Sequence, residues 1–305
     1  MQVSSPVTSS LEEDFELLCS SVRQAGDLSM RYFGQSPQHW EKEENQPVSE
    51  ADIAVNDLLH QQLQTPRPDY GWLSEETPDD QHRLTCARVW VVDPIDGTKA
   101  FIQGKPEFTI SVALVENRRP IGAVVYNPAH KEFYAAMLDM GTHCNGKPVQ
   151  ITERETLENS RICGYEKMFA HEGWAHLWPQ LTVENRNSVA YRLALVAGGQ
   201  FDATLIMNAK NDWDIAAGDL LVHEAGGVVC GLDRKQLTYN NLTTRHRGLM
   251  AGSETLTAEF ASRVEAQTAE AKKQLKDAMD LGDIDAQVEA QQKIARLAVD
   301  ADRAK

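Results

Sequence analysis

The stretch Val89–Phe101 reads Val-Trp-Val-Val-Asp-Pro-Ile-Asp-Gly-Thr-Lys-Ala-Phe. Its apolar start predicts a buried strand, and the glycine and threonine that follow predict the start of a helix. Asp93 and Asp96 then lie at the strand end, where two carboxylates repel each other unless a cation lies between them. Hard cations such as Mg²⁺ prefer oxygen ligands, and the backbone amides of Gly97 and Thr98 suit a phosphate. The stretch predicts a shared metal and phosphate pocket.

The same residues also fit an ordinary β-turn. A strand that ends in Asp-Pro and turns at Asp-Gly needs no metal, because proline fixes φ and glycine accepts positive φ. The stretch alone leaves both interpretations open. Acidic residues elsewhere in the chain bear on the choice.

Composition favours a folded protein that acts on a small molecule. The chain has 305 residues, 42% of them hydrophobic, and a formal net charge of -15, which disfavours a nucleic-acid polymer as partner. Five scattered cysteines without a CxxC spacing predict reduced thiols: Cys19, Cys86, Cys144, Cys163 and Cys230. The acidic N-terminal region does not resemble a signal peptide, and no stretch has transmembrane length. We expect a cytoplasmic protein without membrane contact.

Periodicity predicts helices and an antiparallel sheet in the first half. Apolar residues at spacings of three and four predict a helix over 10–33, and Ser49 with Asp52 forms a helix-start box for a second helix ending near Gln64. A turn at 141–148 is expected before a strand at 149–152. The other expected strands are 70–75, 88–93, 108–115, 121–126 and 132–137.

The second half alternates strands with helices, which predicts a smaller α/β unit. From residue 262 the composition shifts to Ala, Gln, Lys, Asp and Glu. We expect this tail to form a helical hairpin connected at 281–283, either solvated or mediating self-association as a homodimer, or else to be partly disordered. Strands are expected at 161–164, 201–207 and 228–230, helices at 171–178, 188–197 and 214–225, and domains over 1–153, 154–261 and 262–305.

Three further acidic residues are candidates to join the aspartate pair. Glu75 ends a strand-like segment, Asp214 begins a helix of small residues, and Asp52 lies in the first turn of its own helix. Taken singly, Asp214 is typical of a helix cap and Asp52 of a capping box. Their joint occurrence in this order favours a metal site over chance.

At this point the chain resembles the inositol monophosphatase family, lithium-sensitive Mg²⁺-dependent phosphatases that include 3'(2'),5'-bisphosphate nucleotidases. The resemblance covers roughly residues 10–260 and rests on VVDPIDGTKAF (91–101), NDWDIAAGDLLVHEAGG (211–227) and, more weakly, GTHCNGKPV (141–149). It implies a layered αβαβα fold of α/β (α+β) class, with an antiparallel N-terminal sheet, a smaller C-terminal α/β unit and, in this chain, a helical tail. It also implies hydrolysis of a small phosphorylated metabolite.

The resemblance also implies which residues hold metal. Glu75, Asp93 and the backbone carbonyl of Ile95 would hold one Mg²⁺, and Asp93, Asp96 and Asp214 would hold a second. A third ion would bind weakly beside Glu75. The glutamate that follows Glu75 would be a neighbour without a direct ligand role.

Catalysis by these residues would need no protein nucleophile. Two cations lower the pKa of a bound water, neutralise phosphoryl oxygens and stabilise the leaving alkoxide. The resemblance implies that Asp52 pairs with the Thr98 hydroxyl to orient or activate the attacking water, with Glu75 also in a catalytic role. The nine histidines form no arrangement that predicts a base or metal cluster.

Substrate choice depends on fewer residues. Inositol-selective members carry an acidic residue seven positions before the aspartate that corresponds to Asp214, and here that position is Met207. Lys99 after Asp-Gly-Thr, together with Glu107, Phe108 and Thr109, looks more like the bisphosphate nucleotidase branch. The expected substrate is therefore 3'-phosphoadenosine 5'-phosphate, with inositol 1-phosphate, histidinol phosphate and fructose bisphosphate as alternatives.

A bisphosphate nucleotide has a second phosphate, which cationic side chains would bind, and an adenine, which a flat apolar surface would bind. Tyr191 or Trp213 are candidates for that surface. Tyr191 and Arg192 also fit a role in packing and solvating their own helix. The candidate substrate-binding residues are Gly97, Thr98, Lys99, Arg192 and Lys210.

A function of another class is a non-catalytic scaffold or regulatory partner that uses the helical tail. The complete acidic set argues against it, because an idle cluster of carboxylates destabilises the fold by repulsion. Loss of one ligand would have favoured the scaffold.

Overall fold

The computed structural model describes residues 9–43, 46–170 and 174–280. The helices in these ranges are α1 (Leu11–Tyr32), α2 (Glu50–Leu59), α3 (Thr98–Ile102), α4 (Glu166–Phe169), α5 (Val189–Ala197), α6 (Asp212–Glu224) and α7 (Glu254–Asp280). A π-helical turn, His60–Gln64, extends α2, and a 3₁₀ turn covers His82–Thr85. Of the helices described, none has both the length and the apolar character needed to cross a membrane.

Sixteen strands form two sheets and two short ribbons in the described ranges. They are β1 (His39–Glu43), β2 (Gln46–Ser49), β3 (Gly71–Ser74), β4 (Arg88–Asp96), β5 (Thr109–Glu116), β6 (Arg119–Asn127), β7 (Glu132–Met137), β8 (Thr142–Cys144), β9 (Lys147–Val149), β10 (Ser160–Cys163), β11 (Leu181–Glu184), β12 (Ala203–Ile206), β13 (Lys210–Asn211), β14 (Val228–Gly231), β15 (Arg245–His246) and β16 (Leu249–Gly252). One sheet has the order β3-β4-β5-β6-β7-β8-β9 and the other β11-β10-β12-β16-β14. The ribbons are β1-β2 and β13-β15.

Five layers stack in the order helix, sheet, helix, sheet, helix. α1 and α2 pack on one face of the seven-stranded sheet. α5 and α6 lie between its other face and the five-stranded sheet, and α7 packs on the far side of that second sheet. Along β4, Trp90 and Val92 point toward α1 and α2, whereas Val89 and Val91 point toward α5 and α6. The predicted fold class is confirmed.

Most predicted elements of the first half are confirmed. The seven-stranded sheet is antiparallel except where β3 runs parallel to β4. α2 begins at the predicted box, in which the Ser49 side chain accepts from the Ala51 amide and Asp52 accepts from the Ser49 amide.

In the second half, α6 begins two residues earlier than predicted because Asn211 caps it through a second box closed by Asp214.

The predicted turn at 141–148 and strand at 149–152 are wrong. Residues 142–149 form the hairpin β8-β9, and residues 150–152 belong to no strand. Asn145 and Gly146 both adopt positive φ, 51° and 77°. Such a pair closes a two-residue hairpin turn, so the Asn-Gly signal was present in the sequence.

The helix predicted over 171–178 is also wrong for residues 174–178, which are not helical. α4 ends earlier, and the Trp174 indole donates to the Met168 carbonyl at 2.7 Å. Trp178 packs edge-on against Phe260 of α7. These contacts hold the segment 174–178 in a non-helical conformation. Residues 171–173, and the connection predicted at 281–283, lie outside the described residues.

The fold brings strand ends and helix starts together at one place. Glu75 follows β3, and Asp93–Asp96 end the neighbouring parallel strand β4. The N-termini of α2, α3, α5 and α6 carry or adjoin Asp52, Thr98, Ser188 and Asp214.

Candidate active site

Three aspartates form the centre of the candidate site. One carboxylate oxygen each from Asp93, Asp96 and Asp214 lies within 4.8 Å of the others. Burial, and then the charges of Glu75 and Asp96, raise the pKa of Asp93 well above its usual value. Burial and the neighbouring Asp214 raise the pKa of Asp96 to about 6. Burial and mutual repulsion therefore disfavour the ionised forms of Asp93 and Asp96, and a bound cation would offset both effects.

Glu75 adds a fourth carboxylate from the end of β3. Burial raises its pKa to about 8, Lys42 opposes that rise, and Asp214 adds to it. The Lys42 ammonium lies 3.5 Å from Glu75 and 2.6 Å from Glu76. Sequence reasoning missed Lys42, because only the β1-β2 hairpin brings this residue back over the site.

Asp52 and Thr98 are joined directly. The Thr98 hydroxyl lies 2.8 Å from Asp52 Oδ1 and 3.0 Å from the Ile95 carbonyl, either of which accepts its proton. The other carboxylate oxygen of Asp52 accepts from the Ser49 amide and hydroxyl. Burial raises the pKa of Asp52 to about 6, although these hydrogen bonds oppose the rise. The structure thus places the predicted pair beside the predicted carbonyl ligand.

Ser188 is a second residue that sequence reasoning missed. Its hydroxyl donates to Asp96 Oδ2 at 2.6 Å, and the Ala190 amide donates to the same oxygen at 2.6 Å. The Ser188 hydroxyl oxygen also accepts from the Tyr191 amide. Because Ser188 lies 92 residues from Asp96, no local signal reveals the contact.

The other candidate substrate-binding residues differ in burial and in their distance from the carboxylates. Gly97 has φ 97°, and a Cβ there would lie 3.1 Å from a backbone oxygen, so any side chain at this position would be strained. Lys210 is close enough to lower the pKa of Asp96. Lys99 is exposed on α3. Trp213 is half-buried and packs against the core.

Arg192 and Tyr191 are engaged within the protein. The Arg192 guanidinium donates to the Arg186 carbonyl and to Asn185 Oδ1, which holds the loop before α5. Tyr191 is buried, and its hydroxyl donates to Glu132 at 2.7 Å. Tyr191 therefore offers no flat surface to a ligand, and of the two candidates for that surface Trp213 remains.

The donor set fits divalent metal. Aspartate and glutamate oxygens with one backbone carbonyl are the ligands that Mg²⁺ prefers. Five carboxylates, Asp52, Glu75, Asp93, Asp96 and Asp214, gather in a largely buried region near Lys42 and Lys210. Their excess negative charge calls for cations.

Comparisons with known proteins agree with this chemistry. The sequence model of the inositol monophosphatase family matches residues 10–269. An inositol-1-monophosphatase of Mesorhizobium japonicum is 36% identical over 64% of this chain and 75% of that protein. The 3'(2'),5'-bisphosphate nucleotidase CysQ of Salmonella typhimurium is 33% identical over 73% of this chain and 93% of that protein.

Solved structures give the same result. The IMPase of Thermotoga maritima matches with a TM-score of 0.71 at 27% identity, and the match covers 85% of this chain and 98% of that one. Its fold is the layered arrangement described above. The chain therefore belongs to the inositol monophosphatase family, a metal-dependent family, and is a phosphoric monoester hydrolase.

Proposed function

We propose that the protein is a Mg²⁺-dependent phosphomonoesterase whose preferred substrate is a 3'(2'),5'-bisphosphate nucleotide such as 3'-phosphoadenosine 5'-phosphate. The carboxylate cluster at the end of β4 is the observation that carries the metal-dependent reaction. Inositol 1-phosphate is the second candidate substrate, because an inositol-1-monophosphatase is among the relatives. Histidinol phosphate uses the same chemistry.

The metal ligands in this proposal are Glu75, Asp93, Asp96, Asp214 and the Ile95 carbonyl. Mg²⁺ bound there would supply Lewis-acid chemistry, namely activation of a water molecule and neutralisation of the phosphoryl oxygens. These side chains would hold the metal ions in fixed positions. The hydrogen bonds from Ser188 and Ala190 fix the carboxylate of Asp96 for this role.

Asp52 and Thr98 would orient the attacking water. When the Thr98 hydroxyl donates to Asp52, its oxygen is left as an acceptor for a water proton. Asp52 is held in place by the Ser49 capping box, so the acceptor is fixed before substrate binds. Gly97 and the first amides of α3 would face the phosphate.

Two observations favour a nucleotide over inositol. Met207 is buried in the core between the five-stranded sheet and α7, so no carboxylate is available there to bind sugar hydroxyls. Trp40 is 48% exposed on β1, two residues before Lys42, which reaches Glu76. An exposed indole on the same short strand as a cation that reaches the site is suited to a base that carries phosphate.

A substrate panel tests this proposal. We expect turnover of 3'-phosphoadenosine 5'-phosphate to exceed that of inositol 1-phosphate and histidinol phosphate, and lithium to inhibit all three reactions. Trp40→Ala should raise KM for the nucleotide by about tenfold, the effect of one lost stacking contact of about 1–3 kcal/mol, and leave KM for inositol 1-phosphate unchanged. Faster turnover of inositol 1-phosphate, or equal effects of Trp40→Ala on both substrates, would contradict the nucleotide assignment.

We also propose that the protein works in the cytoplasm, as a homodimer. All five cysteines are free, which suits a reducing compartment. A role as a non-catalytic scaffold is disfavoured because the carboxylate set is complete. Sedimentation of the intact chain measures the oligomeric state, and a monomeric mass would exclude the dimer.

A further inference from the structure

A buried arginine connects the segment that follows Glu75 to the loop that contacts the start of α6. Arg83 lies in the 3₁₀ turn between β3 and β4 and is 1% exposed. Its guanidinium donates to both Asp79 oxygens, at 3.0 and 2.7 Å, and to Asn240 Oδ1 at 2.7 Å. It also donates to the Asn241 carbonyl at 3.0 Å. Arg83 therefore ties the segment that follows Glu75 to the loop between β14 and β15.

The connection continues from Asn240 to the first turn of α6. Asn240 adopts φ 55°, and its amide donates to Asp212 Oδ2 at 2.8 Å. Asp212 is fully buried, and its other oxygen lies 2.7 Å from His246 Nε2. Asp212 is thus held from two sides, by the loop and by β15. We call the series Asp79, Arg83, Asn240, Asp212 and His246 the Arg83 bridge.

The bridge ends two residues from a proposed metal ligand. Asp212 is the first residue of α6, and Asp214 closes the capping box of the same turn by accepting from the Asn211 amide at 2.8 Å. Asp93 and Asp96 come from the end of β4 instead. A metal held by all three needs α6 and β4 at a fixed separation, because Mg²⁺ tolerates little departure from octahedral geometry.

We propose that Arg83, Asn240 and Asp212 are positioning residues that set the metal affinity of the site by fixing Asp214 against Asp93 and Asp96. This inference rests on the proposed function. None of the three is a ligand; they act through the first turn of α6. Residues behind metal ligands commonly change metal affinity by about 10- to 100-fold when they are replaced.

The second attachment of α6 to the sheet lies farther along the helix. Arg119 of β6 forms a bidentate pair with Asp219, at 2.8 and 3.1 Å, and Tyr239 donates to the same carboxylate. This pair holds the middle of the helix against the sheet. The Arg83 bridge instead determines where the first turn lies.

Asn240→Gly removes the side-chain contacts between the loop and Arg83 with the least disturbance, and it leaves the Arg83 bond to the Asn241 carbonyl in place. Glycine keeps the positive φ and the amide that donates to Asp212, but it removes the side chain that bonds to Arg83. Asn145→Gly is the matched control. Asn145 also has positive φ, accepts from one backbone amide and donates to one backbone carbonyl, but it lies in the β8-β9 turn.

The experiment is a Mn²⁺ titration of the full-length protein by calorimetry, together with the Mg²⁺ dependence of phosphate release. We expect Asn240→Gly to weaken Mn²⁺ binding about tenfold and to raise the half-saturating Mg²⁺ concentration by a similar factor. Asn145→Gly should change neither. If Asn240→Gly does not fold, Arg83→Lys replaces it, because lysine keeps the charge beside Asp79 but loses the fork that reaches Asn240.

The outcomes separate this inference from the proposed function. Wild-type protein that binds no Mn²⁺ would contradict the proposed metal site itself. Wild-type protein that binds Mn²⁺, with Asn240→Gly or Arg83→Lys binding equally well, would overturn the bridge alone. An equal loss in Asn145→Gly would show a general effect of stability and would also overturn it.

Discussion

Ser188 combines backbone strain with a direct contact to a proposed metal ligand. Its φ of 65° and ψ of 120° lie where side chains are rarely found, and its hydroxyl donates to Asp96. Strain of this kind costs about 1–3 kcal/mol and persists only where other contacts enforce it. Here the Thr109 hydroxyl and the Tyr191 amide also bond to the Ser188 side chain. The strained residue therefore orients the carboxylate of Asp96.

Replacing Ser188 by alanine or glycine separates these two effects. Both variants lose the hydroxyl that donates to Asp96, so we expect kcat to fall about 10- to 100-fold in each, the effect of a charge-assisted hydrogen bond. Ser188→Gly should be more stable than Ser188→Ala by about 1–2 kcal/mol, because glycine accepts positive φ. Urea unfolding and steady-state kinetics measure the two quantities. Full activity in Ser188→Ala would refute the orienting role.

At the scale of elements, α7 shows how the outer layer is held. Leu256, Phe260 and Val264 of α7 pack against the five-stranded sheet in the same cluster as Met250. Phe260 is fully buried and meets Trp178 edge-on. These three large side chains lie in the first half of the helix, so we expect that half to carry most of the stabilisation.

Two substitutions on α7 test this distribution. Phe260→Ala should lower the free energy of unfolding by about 3–5 kcal/mol, through lost burial and the cavity that remains. Met279→Ala, at a position 61% exposed on the same helix, should change it by less than about 0.5 kcal/mol. Denaturant titration compares the two variants. Similar losses in both would mean that the far end of α7 is packed as firmly as its start.

Sequence patterns predicted the elements wherever local signals set them. The capping box at Ser49 and the glycines after α5 gave correct boundaries. The contacts of Lys42 and Ser188 were not predictable, because they join residues 34 and 92 positions apart. The error at 174–178 has the same origin, since the packing of Trp178 on Phe260 depends on tertiary structure. Asp93 and Asp96 were recognised as candidate ligands because they share one local run, whereas the ligand roles of Glu75, Asp214 and the Ile95 carbonyl were implied by the family resemblance.

At the scale of the whole molecule, the site places like charges in a buried region between the layers. Ordinary carboxyl pKa values in an unfolded chain are about 4. In the folded chain burial raises the pKa of Asp52 and Asp96 to about 6 and that of Glu75 to about 8. Between about pH 4 and about pH 8, the folded state therefore binds more protons than the unfolded state. Without metal, the site therefore opposes folding as the pH rises.

The metal-free protein should lose stability as the pH is raised from about 5 to 8. Because the carboxyl pKa values are raised in the folded state, the stability that they contribute is complete below about pH 4. It is lost as the pH passes through about 6 and then about 8. The loss is about 1.4 kcal/mol per pH unit for each extra proton that the folded state binds. Saturating Mg²⁺ should remove most of this decline. Urea unfolding in EDTA and in Mg²⁺ measures it, with Asp96→Asn expected to show a shallower decline in EDTA. Parallel curves in EDTA and Mg²⁺ would contradict the account.

The most direct test of the central claim is a crystal structure of the full-length protein grown with Mn²⁺ and measured at the manganese absorption edge. The account predicts anomalous peaks within ligand distance of Asp93, Asp96 and Asp214, with a further peak between Glu75 and the Ile95 carbonyl. Manganese bound elsewhere on the protein, with no peak among these carboxylates, would contradict it.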